Sequence, residues 1–240
     1  MNFGIVGAGA IGSTLSHKLH DNGHQVKVAD ARSIKHLEDK NISGQAVELE
    51  NVIEDIDVLI LSIPTDVMTN ISHIISDLSE DIIIVDTSNY YPFRDNKIEE
   101  IEDGIPESVW VSQQLGRDVV KAFNNQLAYT LANKGAPQDS NNRIAMAISG
   151  NNIKEKETVM NVVSEIGFDA IDSGELKDSW RQQPGTPAYC TELTKEDLKI
   201  ALGNANKEEA PSRRDKVIEN FSPEFTHDDV VNLNRKIYNA

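Results

Sequence analysis

The strongest constraint on this chain lies in its first twenty-odd residues. FGIVG, Phe3 to Gly7, is a short apolar run that ends in glycine. IGSTLSHKLHDNG then changes period, with Ile11, Leu15 and Leu19 recurring every fourth residue. A strand that turns tightly into a helix opens a βαβ unit. The turn carries Gly7, Gly9 and Gly12 in the spacing G-x-G-x-x-G. In this setting Gly7 permits the sharp exit from the strand, Gly9 lets backbone approach a pyrophosphate, and Gly12 lets the helix pack closely on the strand. The amides of the helix N-terminus then face the anion. Glycines that merely pack a βα corner are the bland alternative. The strand before, the helix after and an acid near the end of the next strand favour dinucleotide binding, with Gly7, Ala8, Gly9, Ala10, Ile11 and Gly12 as the phosphate loop.

The rest of the chain repeats the alternation. HQVKVAD reads as a second strand and SIKHLEDK as a charged helical segment. DVLILSIP and DIIIVDTSN are rich in Ile, Leu and Val without alternating polarity, as strands buried on both faces are. VMTNISHIISDL supplies a crossover helix between them. RDVVKAFN and RIAMAISG predict two more strands, followed by helices starting near Asn125 and Ile153, and GFDAIDSG a last strand. The expectation is an α/β fold: a doubly wound, mostly parallel Rossmann sheet with a helical C-terminal tail. Residues 1–183 form the dinucleotide-binding domain, and 184–240 an extension that packs on this domain or on a partner subunit. Thr194 is placed to cap the first tail helix, with Glu196 and Asp197 in its first turn.

Ligands of open parallel sheets bind at the carboxyl ends of the strands. Here those ends are polar or glycine-containing: Gly7, Asp30, Ser62-Ile63-Pro64, Thr87-Ser88-Asn89 and Asn124. Asn89 and Asn124 also suit helix caps or Asx turns. With 39 acids against 23 bases the net charge is −16, which argues against a nucleic-acid partner. No window approaches the roughly 18 apolar residues of a membrane span, and the N-terminus has no basic segment before an apolar run. The single cysteine, Cys190, cannot form an internal disulfide, and a cytoplasmic location is expected. The six histidines are scattered, so no metal site is expected, and Cys190 is expected to serve packing.

GIVGAGAIG, SIP, DTSNYYPFRD, VVKAFN and GFDAIDSGELKDSWR together resemble the NADPH-dependent reductases of the deazaflavin-coenzyme type, and more closely their bacterial dinucleotide-binding relatives. The resemblance runs from Asn2 to about Arg181. It implies a cofactor held over Gly7 to Gly12, with Ser62, Ile63 and Pro64 running toward the nicotinamide and Asn89 and Asn124 bordering the pocket where hydride leaves; Ser88 is counted with the cofactor-binding residues. It implies a flavin or deazaflavin type of acceptor and no obligatory proton-donating side chain, so no catalytic residue is assigned. NYYPFRD departs from the deazaflavin reductases, which puts the deazaflavin in question more than the hydride chemistry.

VADARS bears on the choice of cofactor. Asp30 lies 18 residues beyond Gly12, near the spacing of an acid that binds the ribose of NAD. By the resemblance, Arg32 and Ser33 match the part that grips a 2′-phosphate, and Ala31 separates the two. NADP(H) is favoured and NAD(H) stays open. Tyr90, Tyr91 and Phe93 form either a stacking wall for a flat acceptor or loop packing against the tail; Arg94 and Asp95 are placed to pair. Trp180, Arg181 and the PGTP turn are candidates to carry the tail across a homodimer. The function expected is hydride transfer between a nicotinamide dinucleotide and a small-molecule acceptor. A β-hydroxyacid dehydrogenase or imine reductase, and a dinucleotide-binding module without turnover, are the competing readings.

Overall fold

The computed structural model describes residues 1–240. Six strands, β1 (Asn2–Val6), β2 (Gln25–Ala29), β3 (Gln45–Ala46), β4 (Val58–Leu61), β5 (Ile83–Asp86) and β6 (Val120–Lys121), form one sheet in the order β3-β2-β1-β4-β5-β6. Every neighbouring pair is parallel. This is the doubly wound Rossmann arrangement, and all five polar strand ends fall along one edge. The strand order reverses between β1 and β4, so the ligand crevice opens between the ends of those two strands. Residues 58–61 are buried throughout, which is why this strand shows no alternation in sequence.

The helices are α1 (Ala10–Asp21), α2 (Ser72–Ser76), α3 (Glu99–Glu102), α4 (Glu107–Leu115), α5 (Ala128–Asn133), α6 (Ile153–Glu165), α7 (Lys195–Gly203), α8 (Ala210–Asn220) and α9 (His227–Tyr238). One apolar layer joins Phe3, Ile5, Val28 and Ile60 to Leu15 and Leu19 of α1 and Val159, Val162 and Val163 of α6. The opposite layer joins Val6, Leu59, Leu61 and Ile84 to Met68, Ile71, Trp110 and Val111.

Three expectations change. The crossover expected as one helix over VMTNISHIISDL is a 3₁₀ segment, Thr65–Ile71, followed by the single turn of α2. Its buried side chains, Thr65, Met68 and Ile71, recur every third residue, a period that 3₁₀ geometry stacks on one face. SIKHLEDK likewise holds only a 3₁₀ turn, Ile34–Leu37. RIAMAISG and GFDAIDSG are strands, β7 (Ala145–Ile148) and β8 (Asp169–Asp172), but they form a separate parallel pair that meets β6 through one antiparallel bridge, Lys121 to Ser149.

The tail packs on this second sheet: α7 lays Leu198, Ala201 and Leu202 over Ala145, Ala147 and Ile171. Thr194 caps α7, accepting from the Asp197 amide at 3.4 Å. Tyr238 of α9 packs against Tyr189 and Cys190.

Candidate functional site

The three loop glycines meet different surroundings. Gly7 has φ +103°, and a Cβ there would stand 2.2 Å from the Ser62 carbonyl oxygen. A Cβ on Gly12 would stand 2.0 Å from the Gly7 carbonyl oxygen. A Cβ on Gly9 would meet nothing within 4 Å. Two glycines therefore close the βα corner, and the third faces open space through which a ligand can reach the backbone. Gly9 is the N-cap of α1 in extended backbone, with no side-chain cap and no acid in the first turn. The first backbone bond of the helix runs from Ser13 N to Gly9 O, so the amides of Ala10, Ile11 and Gly12 donate to nothing within the chain. Ala8 is buried beneath the loop, whereas Gly9 and Ala10 are exposed. These are the orphan donors of a helix N-terminus, at its positive end.

At the end of β2, Asp30 is buried and Arg32 exposed, and they are joined. Arg32 Nε donates to Asp30 Oδ1 at 2.9 Å and Nη2 to Oδ2 at 3.0 Å, while the Arg32 amide also donates to Oδ1 at 2.9 Å. These bonds hold the Asp30 carboxyl below the usual carboxylate range against the opposing effect of burial. Both Asp30 oxygens are thus engaged, and Arg32 keeps Nη1 free on an exposed side chain. Ser33 Oγ lies 3.1 Å from His36 Nδ1, which is itself 3.9 Å from Asp30 Oδ1. Ala31, half-buried, separates Asp30 from Arg32.

Across the crevice, Ser62 N donates to Val6 O, which sets the Ser62 carbonyl against Gly7. Ile63 is buried and Pro64 exposed. At the next strand end, Ser88 is buried with an unpartnered Oγ. Asn89 and Asn124 are brought together: Asn124 Nδ2 donates to Asn89 Oδ1 at 3.0 Å, and Asn89 Nδ2 to the Asn124 carbonyl at 3.0 Å. Neither caps a helix. Asn124 also donates to Gln182 O at 2.8 Å and accepts from Gln182 Nε2 at 2.9 Å, which uses both hydrogens of its amide and its oxygen. Asn124 therefore acts on the crevice through Asn89.

Sequence reasoning missed the groups beneath this edge. Lys121 of β6 is fully buried and lies in register with Asp86 of β5. Its ammonium donates to Asp86 Oδ2 at 3.1 Å and to the Ser88 carbonyl, and reaches Glu107 Oε2 only at 4.0 Å. Asp86 also accepts from Ser108 Oγ at 2.6 Å and from the Ser88 amide at 2.8 Å. A lysine inside the apolar run VVKAFN, one strand from the acid closing DIIIVD, was the available signal. Gln182 was the other omission. It gathers Ser149, Ser173, Asn124 and the Ala147 carbonyl, and only its place beside a Pro-Gly turn marks it in sequence. Phe123, between Lys121 and Asn124, has φ +60°, an unfavourable backbone for an aromatic residue, and its ring is buried in the first apolar layer.

The aromatic run divides. Tyr90 is buried and its hydroxyl accepts from the Ile98 amide at 3.0 Å; the Tyr91 hydroxyl lies 2.9 Å from that of Tyr189, tying this loop to the bridge before the tail. Those two are packing residues, and Phe93 is exposed. Arg94 and Asp95 pair, and Arg94 also donates to the Asn89 carbonyl at 2.6 Å. Arg181 donates to Leu202 O at the end of α7 within the same chain. Cys190 is buried, and burial pushes its thiol up to about 12.

Residues 2–90 match the family described as NADP oxidoreductase, coenzyme F420-dependent. The chain is 31% identical to SMa0349 of Sinorhizobium meliloti, whose crystal structure superposes with a TM-score of 0.67 over 81% of this chain and 96% of that one. The chain belongs to the coenzyme F420-dependent NADP oxidoreductase family. This family member is also 34% identical over 104 residues to YjhV of Escherichia coli (strain K12), spanning 42% of this chain and 76% of that protein. A crystal structure described as an F420-dependent NADP-reductase of Arthrobacter sp. FB24 shares the fold, with a TM-score of 0.61 at 18% identity over 75% of this chain and 87% of that one. Membership places the protein among NAD(P)H-dependent oxidoreductases with a dinucleotide-binding Rossmann fold. No helix is long and apolar enough to cross a membrane.

Proposed function

We propose that this family member is an NADP(H)-dependent oxidoreductase that passes hydride between the nicotinamide and a planar acceptor of the flavin or deazaflavin class. The observation that carries the reading is the loop geometry: free amides of Ala10, Ile11 and Gly12 beside the open face of Gly9. A bound nicotinamide dinucleotide supplies the hydride. The protein's part is binding and orientation. The α1 amides hold the diphosphate at the positive end of the helix. Ser62, Ile63 and Pro64 line one side of the crevice, and Ser88 with Asn89 the other.

Cofactor choice rests on the Asp30–Arg32 pair. An acid that selects NAD offers both oxygens to ribose hydroxyls, but here both are taken by Arg32. The pair neutralises the acid and orients the guanidinium, whose free edge suits a 2′-phosphate beside Ser33. The decisive experiment is titration of the protein with NADPH and NADH. NADPH is expected to bind more tightly, Arg32→Ala to erase that preference and Asp30→Asn to widen it. Unchanged NADPH affinity in Arg32→Ala overturns the phosphate assignment. Failure of both nucleotides to raise the thermal midpoint overturns the whole reading, because a ligand at about 100 times its dissociation constant stabilises by roughly 2.7 kcal/mol.

A further inference from the structure

A cavity of about 540 Å³ lies beyond the crevice, between the start of α4, the bridge before the tail and the start of α8. None of its lining residues belongs to the glycine loop or to the ends of β2 and β4. The bridge and α8 meet closely at Gly185, where φ is +93° and a Cβ would stand 1.9 Å from the Ala210 carbonyl oxygen. The tail is thereby held down as one wall of the cavity.

Two buried charged side chains line this space with incomplete pairing. Glu107, the first residue of α4, has 6% of its side chain exposed; the Tyr90 amide and the Gln183 side chain donate to its carboxyl, but Oε2 is fully buried without a hydrogen-bond partner, and its nearest cation is Lys121 at 4.0 Å. Lys121 makes its closer contacts with Asp86 and Ser88, so it serves Glu107 poorly. Arg214 of α8 has 9% of its side chain exposed and makes one bond, from Nε to Asp215 Oδ1 at 2.8 Å. Both of its terminal nitrogens are left without acceptors in the chain. Glu102, Asp103 and Glu208 also line the cavity, with Lys207 as the second base. Trp180 and Ile105 add apolar surface.

We propose that this cavity binds a zwitterionic amino acid with an apolar side chain, its carboxylate on Arg214 and its ammonium on Glu107. A free guanidinium fork is matched by a carboxylate. The excess of acids over bases around the cavity disfavours a simple anion and suits a ligand that brings its own cation. An ammonium on Glu107 also supplies the counter-charge that Lys121 provides only at a distance. The apolar wall then accommodates the side chain. The proposal does not depend on which acceptor the crevice takes.

Calorimetric titration of the full chain with L-leucine, L-methionine, L-phenylalanine and L-tryptophan tests it, with NADPH titrated in parallel. At least one amino acid is expected to bind at a 1:1 ratio. Its analogues lacking the carboxylate or the ammonium are expected to bind at least about tenfold more weakly. Glu107→Gln and Arg214→Gln are expected to weaken it by a similar factor, with NADPH affinity unchanged in Arg214→Gln as evidence of a native fold. The analogue comparison gives a result even if a variant fails to fold. Absence of binding by all four at about 10 mM overturns the proposal, as does equal binding of a one-charge analogue or retained affinity in a folded Arg214→Gln variant.

Discussion

Replacing Glu107 by Gln is expected to stabilise the protein at alkaline pH while changing little in acid. Burial pushes the Glu107 carboxyl up to about 7 from the ordinary 4.5; the Lys121 ammonium, pulling the other way, only partly offsets it. An acid whose folded pKa is raised keeps its proton longer in the folded chain than in the unfolded one. Between about 4.5 and 7 the folded state therefore binds more protons, and stability falls as pH rises through that window. At 1.36 kcal/mol per pH unit, the full loss is about 3 kcal/mol above pH 7, most of which falls between pH 5 and pH 8. Glutamine has nearly the shape of the protonated acid and does not titrate. Urea unfolding of both proteins at pH 5 and pH 8 measures the difference directly. The variant is expected to gain on the parent by about 2 kcal/mol between the two pH values. Equal differences at both pH values refute the reasoning, because they would mean that water or Lys121 stabilises the ionised carboxylate as well as bulk solvent does.

Gly9→Ala is expected to change stability by less than about 1 kcal/mol but to weaken dinucleotide binding about tenfold, since its Cβ enters open space on the ligand side. Gly12→Ala drives a Cβ into the Gly7 carbonyl and is expected to destabilise by about 3 kcal/mol; thermal unfolding with and without NADPH separates the two effects. Glu192, although part-buried, is held below the usual range by bonds from Thr130, Lys134 and His227, so its stabilising contribution is present above about pH 4.5 and disappears in stronger acid. Glu192→Gln should lower stability at pH 7 by about 2 kcal/mol in urea unfolding, and the deficit should shrink toward pH 3. Cys190, with 2% exposure and a thiol pushed up to about 12, is expected to react with iodoacetamide only as fast as the protein opens; rapid labelling under native conditions contradicts its placement.

The sequence carried those features that depend on residues adjacent in the chain. The period change around Gly7, the buried runs at Val58–Leu61 and Ile83–Asp86, the cap at Thr194 and the polar strand ends are all local, because hydrophobic periodicity and backbone freedom act over a turn or a strand. Short elements were illegible for the same reason: β3 has two exposed residues and no pattern, and Thr65–Ile71 has a period of three that resembles a helix at low resolution. The pairing of Asp30 with Arg32, two residues apart, was chosen by side-chain geometry. Groups that meet across strands depended on the tertiary structure. Lys121 finds Asp86 only because β5 and β6 are in register, and Gln182 finds Asn124 across 58 residues of chain. Glu107 and Arg214, a hundred residues apart, share a cavity only because the tail folds over the start of α4. The sequence by itself thus determined a Rossmann sheet whose polar strand ends share one edge, since alternation and glycine spacing are sufficient for both. Which polar groups lie buried, which are satisfied and which still lack a partner was decided by tertiary packing, because desolvation and hydrogen bonding depend on neighbours the chain supplies from far away.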